Sequence, residues 1–156
     1  MTIFLMHPTD ARAWPAMPQV VNRMCLFSVD EHGKLEPDLV RNYLANFITE
    51  LVHPEQVKQR CWVKVEDDGL VSGHIVVDLA NQNGLPYGSV AQFASDEGLG
   101  FPRDAGARLW EEIQGWVRDN GGAQMRIRAR SRLHARAYRT YYGFKETPQV
   151  LMWKEL

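Results

Sequence analysis

The chain has 156 residues, 18 basic and 19 acidic, for a formal net charge of −1, and 45% of it is hydrophobic. A fold of this length buries roughly 70% of its unfolded surface, so a single domain over 1–156 needs neither metal nor disulfide to hold it. Balanced charge excludes a protein that binds nucleic acid through its net field, leaving only local patches for such a role.

Thr2 to Met6 is a brief apolar run ended by His7-Pro8-Thr9-Asp10, which predicts a first strand. The run is too short for a signal peptide or a membrane span and has no basic lead-in, so a soluble, cytoplasmic protein is expected. Pro15 and Pro18 break up any helix begun at Asp10, which predicts a loop anchored by Trp14 and then a helix around Gln19 to Cys25. Glu36-Pro37 opens a second helix, along which Leu39, Tyr43, Leu44, Phe47 and Leu51 recur at helical spacing until His53-Pro54. Cys61 to Glu66 and Leu70 to Leu79 flank Asp67-Asp68-Gly69, a hairpin signal. Asn81 to Gly88 reads as a loop, Ser89 to Ser95 as another strand, and Gly98, Gly100 and Pro102 as a turn.

That turn runs into a helix with Asp104 as its N-cap and Leu109, Ile113, Trp116 and Val117 on one face, closed by Asn120-Gly121-Gly122. Unpaired backbone N–H groups and the positive end of the dipole meet at its start, and Gly106 permits close approach, which together make a phosphate cradle. Gln124 to Arg130 is a strand with Met125, Ile127 and Ala129 on one side and Arg126, Arg128 and Arg130 on the other. Ser131 caps a helix to about Tyr142, Gly143 ends it, and Val150 to Leu156 is a last strand. Cys25 and Cys61 sit in apolar runs without ligand spacing, which predicts buried thiols in a reducing compartment and no metal site. The succession predicts a mixed α/β sheet with a strand-turn-helix crossover in its middle.

This order, with the ending Ala135-Arg-Ala-Tyr138-Arg-Thr-Tyr-Tyr-Gly143-Phe144 and Leu151-Met-Trp-Lys-Glu-Leu156, resembles the GNAT superfamily of acyl-CoA-dependent N-acyltransferases. The resemblance covers essentially the whole chain. It implies a mostly antiparallel central sheet with a splayed parallel strand pair, flanking helices, and acetyl-CoA as acyl donor to an amine, on a small molecule or a protein. Upstream, the stretch from Phe101 to Leu109 is similar to the family's pyrophosphate loop in either of two registers. Arg103 takes the basic position in one, with Gly106 as first glycine. In the other, which keeps the helix face in phase, Gly106 is the second glycine, Asp104 replaces the first and Phe101 replaces the arginine. The resemblance implies cofactor contacts from Ser95, Phe101, Arg103, Asp104, Ala105, Gly106, Ala107 and Arg108. Asp104 must then turn its side chain away from the phosphates, since like charges repel.

The resemblance places a carboxylate base at the strand end, where Asp96 and Glu97 stand, and Glu97 is the candidate. It also implies a tyrosine acid on the last helix. Counting back from Gly143-Phe144, that position is Arg139, and the tyrosine is Tyr138, about 100° away around a helix. Arg126, Arg128, Arg130, Arg132, Arg136 and Arg139 form a basic cluster that could grip a phosphate or track a nucleic acid, although a solvated face is the plainer reading. His74, Trp62, Trp110, Trp116 and Trp153 read as packing residues. Two other functions suit the same residues: a GNAT-fold binding or regulatory module without catalysis, and a nucleic-acid binder through the arginines. Nucleic acid and membrane are not the expected partners, and a homodimer is compatible with the chain.

Overall fold

A computed structural model describes residues 1–28, 38–96, 103–129 and 131–147, Arg103 and Asp104 by backbone only. In chain order the elements are β1 (Thr2–Leu5), α1 (Ala13–Phe27), α2 (Asp38–Val52), a 3-10 turn (Pro54–Gln56), β2 (Gln59–Val65), β3 (Val71–Gln82), β4 (Leu85–Ser95), α3 (Arg103–Asp119), β5 (Met125–Arg126) and α4 (Arg132–Tyr142). The strands form one sheet in the order β1-β2-β3-β4-β5. Neighbours run antiparallel except β4 and β5, which run parallel.

Alternation of side chains gives the sheet two apolar faces. On one, Val20 and Met24 of α1 and Tyr43 and Phe47 of α2 bury Phe4, Cys61, Val63 and Val76. On the other, Leu109, Ile113, Trp116 and Val117 of α3 cover Trp62, Ile75 and Val77, as the helical spacing predicts, and Tyr142 and Phe144 pack against the same cluster. Gly121, at φ +85, ends α3, where the N–H of Gly122 bonds to Val117 O at 2.9 Å. Ser131 caps α4 by accepting from His134 N at 3.1 Å, and Gly143 at φ +72 stops it.

Several expectations need correcting. The helix predicted around Gln19 begins at Ala13 and runs through both prolines. Pro15 lies in the first turn, where its missing N–H has no partner to lose, and the burial of Val20 and Met24 offsets the one bond lost at Pro18. The loop predicted over 81–88 is a tight hairpin. β3 and β4 pair as far as Gln82↔Leu85 around Asn83-Gly84, both at positive φ, the conformation this dipeptide favours. Asp104 is already helical and therefore is not the cap. Only Met125–Arg126 of the strand predicted over 124–130 pairs, although its alternation of half-buried and exposed residues continues to Ala129. Cys61 is buried but Cys25 is exposed. On α2, Leu44 and Leu51 share the helical spacing yet lie 36% and 57% exposed, because the buried stripe is Tyr43, Phe47 and Glu50. The Glu36-Pro37 start, the 98–102 turn, Arg130 and the strand predicted from Val150 to Leu156, with Trp153, lie outside the described residues.

Candidate functional site

β4 and β5 pair over two positions, Gly88↔Met125 and Ser89↔Arg126. Beyond Ser89, β4 continues to Ser95 with no strand on that side among the described residues. A bulge explains the divergence: Val76 pairs with Gln92 and Val77 with Val90, so Ala91 is the extra residue that bends β4. Gly88 makes the close approach below the bulge, since a Cβ there would meet Met125 Sδ at 2.5 Å and Val117 Cγ2 at 2.6 Å. The result is a parallel pair joined at one end and, among the described residues, separate at the other.

The separated end leads to α3. Ser95, the last residue of β4, is half-buried and pairs with Gly73. The first turns of α3 hold Arg103 to Arg108, with Gly106 buried, Ala105 half-buried, and Ala107 and Arg108 exposed. The first four N–H groups of a helix have no partner within it, so this turn presents donors and the positive end of the dipole. Glu97 and Phe101 lie outside the described residues. A cavity of about 680 Å³, lined by Arg118, Gly122, Gln124 and Lys145, opens at the other end of α3. At 1.5 Å per residue it lies on the order of 20 Å from the cradle, so it is a separate feature.

α4 supplies the aromatic wall. His134, Tyr138 and Tyr142 recur at i, i+4 and i+8 and form a ladder of rings with centroids 6.2 and 6.5 Å apart. Tyr138 is half-buried and sets its ring at 79° to Phe93 of β4, 6.1 Å away. Phe93 also stacks on Trp110 at 6.1 Å, and Trp110 meets Tyr142 at 5.1 Å. Burial pushes the Tyr142 phenol up, opposed by a hydrogen bond with Trp110. Arg139 points away from the ladder and pairs with Glu146 at 3.4 Å, its side chain 51% exposed. Of the two residues left open by the sequence, Tyr138 is therefore the one turned to the sheet. The arginine cluster is divided: Arg126 lies over the Tyr87 ring at 3.9 Å and donates to Gln82 at 2.6 Å, whereas Arg132, Arg136 and Arg139 follow the exposed side of α4.

Sequence reasoning missed a buried network at the end of β4. Arg23, 9% exposed, donates from Nε to His74 Nδ1 at 3.3 Å and from its guanidinium to Asp96 Oδ1 at 2.6 Å and Val71 O at 3.3 Å. Because Nδ1 accepts, the proton of a neutral His74 sits on Nε2 and is donated to Gln92 Oε1 at 2.5 Å. Gln92 in turn donates to Met24 O at 3.3 Å. Burial pushes the imidazole down to about 4, with the Arg23 charge adding to this and Gln92 and Asp96 acting against it. The packing role read for His74 thus holds, and the missed signal was a charged Arg23 on the apolar stripe of Val20, Met24 and Phe27. A second missed group is Asp78, paired with Ser89 where β4 and β5 part. Burial raises its pKa, opposed by the hydrogen bond from Gln59 at 2.5 Å. No group of three or more metal-ligating side chains occurs among the described residues, and no described helix is long and apolar enough to cross a membrane.

No family model matches the chain, and no curated protein matches it in sequence. Solved structures match it in shape. An aminoglycoside 6′-N-acetyltransferase from Acinetobacter baumannii superposes with a TM-score of 0.62 at 14% identity, covering 99% of this chain and 97% of the other. A second such enzyme, in complex with a CoA-linked bisubstrate analogue of acetylneamine, gives 0.60 at 16% identity over 99% and 97%. An acetyltransferase from Trypanosoma brucei gives 0.57 at 12% over 99% of both chains. With these superpositions covering the chain from end to end, and a parallel β4–β5 pair in an otherwise antiparallel sheet, the chain has the fold of the GNAT superfamily.

Proposed function

We propose that the chain is an acyl-CoA-dependent N-acetyltransferase that moves an acetyl group from acetyl-CoA to an amine by direct transfer. One observation supports the reading: β4 runs on past its two-residue parallel pairing with β5, meets the Tyr138 ring of α4 at Phe93, and is followed along the chain by the donor-rich first turn of α3. Acetyl-CoA would supply an acetyl group activated as a thioester. The edge of β4 up to Ser95 suits an extended chain carrying amides, because its main-chain groups already lie where a next strand would pair. Backbone N–H groups from Arg103 to Arg108 suit a pyrophosphate, and Ala105, Gly106 and Ala107 keep side chains out of its way. Phe101, Arg103 and Asp104 belong to the same proposed set of contacts. Glu97 would accept the proton whose loss turns the acceptor ammonium into a nucleophilic amine, the Tyr138 hydroxyl would give its proton to the departing sulfur, and the second proton leaving nitrogen as the amide forms would restore the phenol, so one proton in all is released, through Glu97. Holding amine and acyl carbon together supplies the remaining rate. Neither cysteine belongs to the proposed site, in keeping with transfer that needs no enzyme thiol.

Calorimetry with CoA and acetyl-CoA, followed by a thiol-release assay over a panel of amines that includes aminoglycosides, tests this. Binding with amine-dependent release is expected. Binding without release for any amine would favour the non-catalytic module, and folded protein that takes up neither ligand would overturn the donor assignment. Salt-steep binding of nucleic acid in place of CoA would favour the arginine-cluster reading.

A further inference from the structure

α2 buries one side and leaves the other bare. Tyr43 and Phe47 are 1% and 4% exposed, whereas Leu44, Ile48, Leu51 and Val52 are 36%, 61%, 57% and 66% exposed. Residues 44, 48 and 51 recur at i, i+4 and i+7 and so make one stripe. Trp14, 55% exposed, rests its ring on Phe47 at 5.5 Å, 78° from parallel, and widens the stripe towards α1. Single exposed apolar residues are ordinary, but a tryptophan beside four aliphatic side chains forms a contiguous patch of the kind that marks an interface.

We infer that this patch is a self-association surface, on which a second copy of the chain lays its own α2 antiparallel about a two-fold axis at Ile48. The inference is independent of the proposed chemistry. The helix is self-complementary about that residue. Arg41 lies seven residues before Ile48, about 10 Å along the helix, and Glu55 lies in the 3-10 turn just past the other end of α2. Antiparallel pairing brings Arg41 towards Glu55 of the partner subunit and Leu44 to Val52 of the partner subunit, while parallel pairing would set like charges together. It also aligns the two helix dipoles head to tail. Both charged groups are exposed, and among the described residues their partners are local, Asp38 for Arg41 at 2.8 Å and His53 for Glu55 at 3.2 Å, so each can be shared across an interface. An apolar stripe ringed by charge is the layout of a core and its rim, and a symmetric contact uses one patch twice. A stable dimer covers about 800 Å² on each partner, which draws in Trp14 and the exposed Pro15 and Pro18 beside it.

Sedimentation equilibrium of the full chain between about 1 and 100 μM tests this. A monomer–dimer equilibrium is expected, which Ile48→Glu weakens by more than about tenfold without altering the circular dichroism of the monomer. Arg41→Glu and Glu55→Arg should each weaken it, and the two together should restore it. Should Ile48→Glu fail to fold, Ile48→Cys in a Cys25→Ser background decides, since a residue on the axis forms an interchain disulfide on oxidation while Asn42→Cys in that background does not. Wild-type protein monomeric at about 100 μM, a dimer that survives Ile48→Glu, a charge swap without recovery, or Ile48→Cys without cross-linking would each overturn the inference.

Discussion

Tyr138 and Arg139 are neighbours in sequence, yet one ring packs against Phe93 of β4 and the other side chain reaches out to Glu146. One helical step separates a group that faces the sheet from a group that faces solvent. If Tyr138 is the acid, Tyr138→Phe keeps the ring contact and removes only the proton, so kcat should fall about 100-fold with CoA affinity unchanged. Steady-state kinetics with calorimetry checks this, and an unaltered kcat would reduce the residue to packing. His74 makes a second prediction at this scale. Its folded pKa of about 4 lies below the ordinary 6.5, so between those values the unfolded chain holds a proton that the folded one does not. Stability is therefore full above 6.5 and declines as pH falls through the window, by about 2 kcal/mol between pH 7 and 5. Denaturant titrations at the two pH values should show the loss, and His74→Gln should remove that contribution.

Among the elements, the β4–β5 pair and α4 carry the proposed site. Gly88 sits where β4, β5 and α3 meet, with Val117 and Met125 occupying the space a side chain would need. The methionine can shift but the branched Val117 on α3 cannot, so Gly88→Val should cost about 1–3 kcal/mol in chemical denaturation, and Gly88→Ala less. α4 depends on its first turn. Ser131→Ala removes the hydroxyl that accepts from His134 N and should cost about 1 kcal/mol, measured the same way. Cap and stop signals of this kind were legible in the sequence, since Ser131, Gly143, Gly121 and the Asp68-Gly69 turn each act within a few residues. Asn83-Gly84 carried an equally local signal, but the polar composition around it hid a tight turn inside what read as a loop.

For the molecule as a whole, the two faces of the sheet divide the work. α1 and α2 cover one and leave an apolar stripe outside, while α3 and α4 cover the other and carry the proposed site. Ligand that binds only the folded state must stabilise the whole domain: acetyl-CoA at 100 times its dissociation constant should add about 2.7 kcal/mol to the unfolding free energy, and no shift in the denaturation midpoint would count against a site. Two of the site residues named from sequence, Glu97 and Phe101, lie outside the described residues, and the rest, from Ser95 to Arg108 and Tyr138, fall along one path from β4 through α3 to α4. The chain by itself determined the element order as far as α4, the buried stripe of α3 and the cap and stop of α4, because periodicity and capping act over a turn or two of backbone. Only tertiary structure decided that α1 runs through two prolines, that Arg23 reaches across to His74 and Asp96, that Leu44 and Leu51 stay outside, and that Tyr138 meets β4. Each of these depends on which distant surface arrives to bury or pair the group, and no local spacing encodes that.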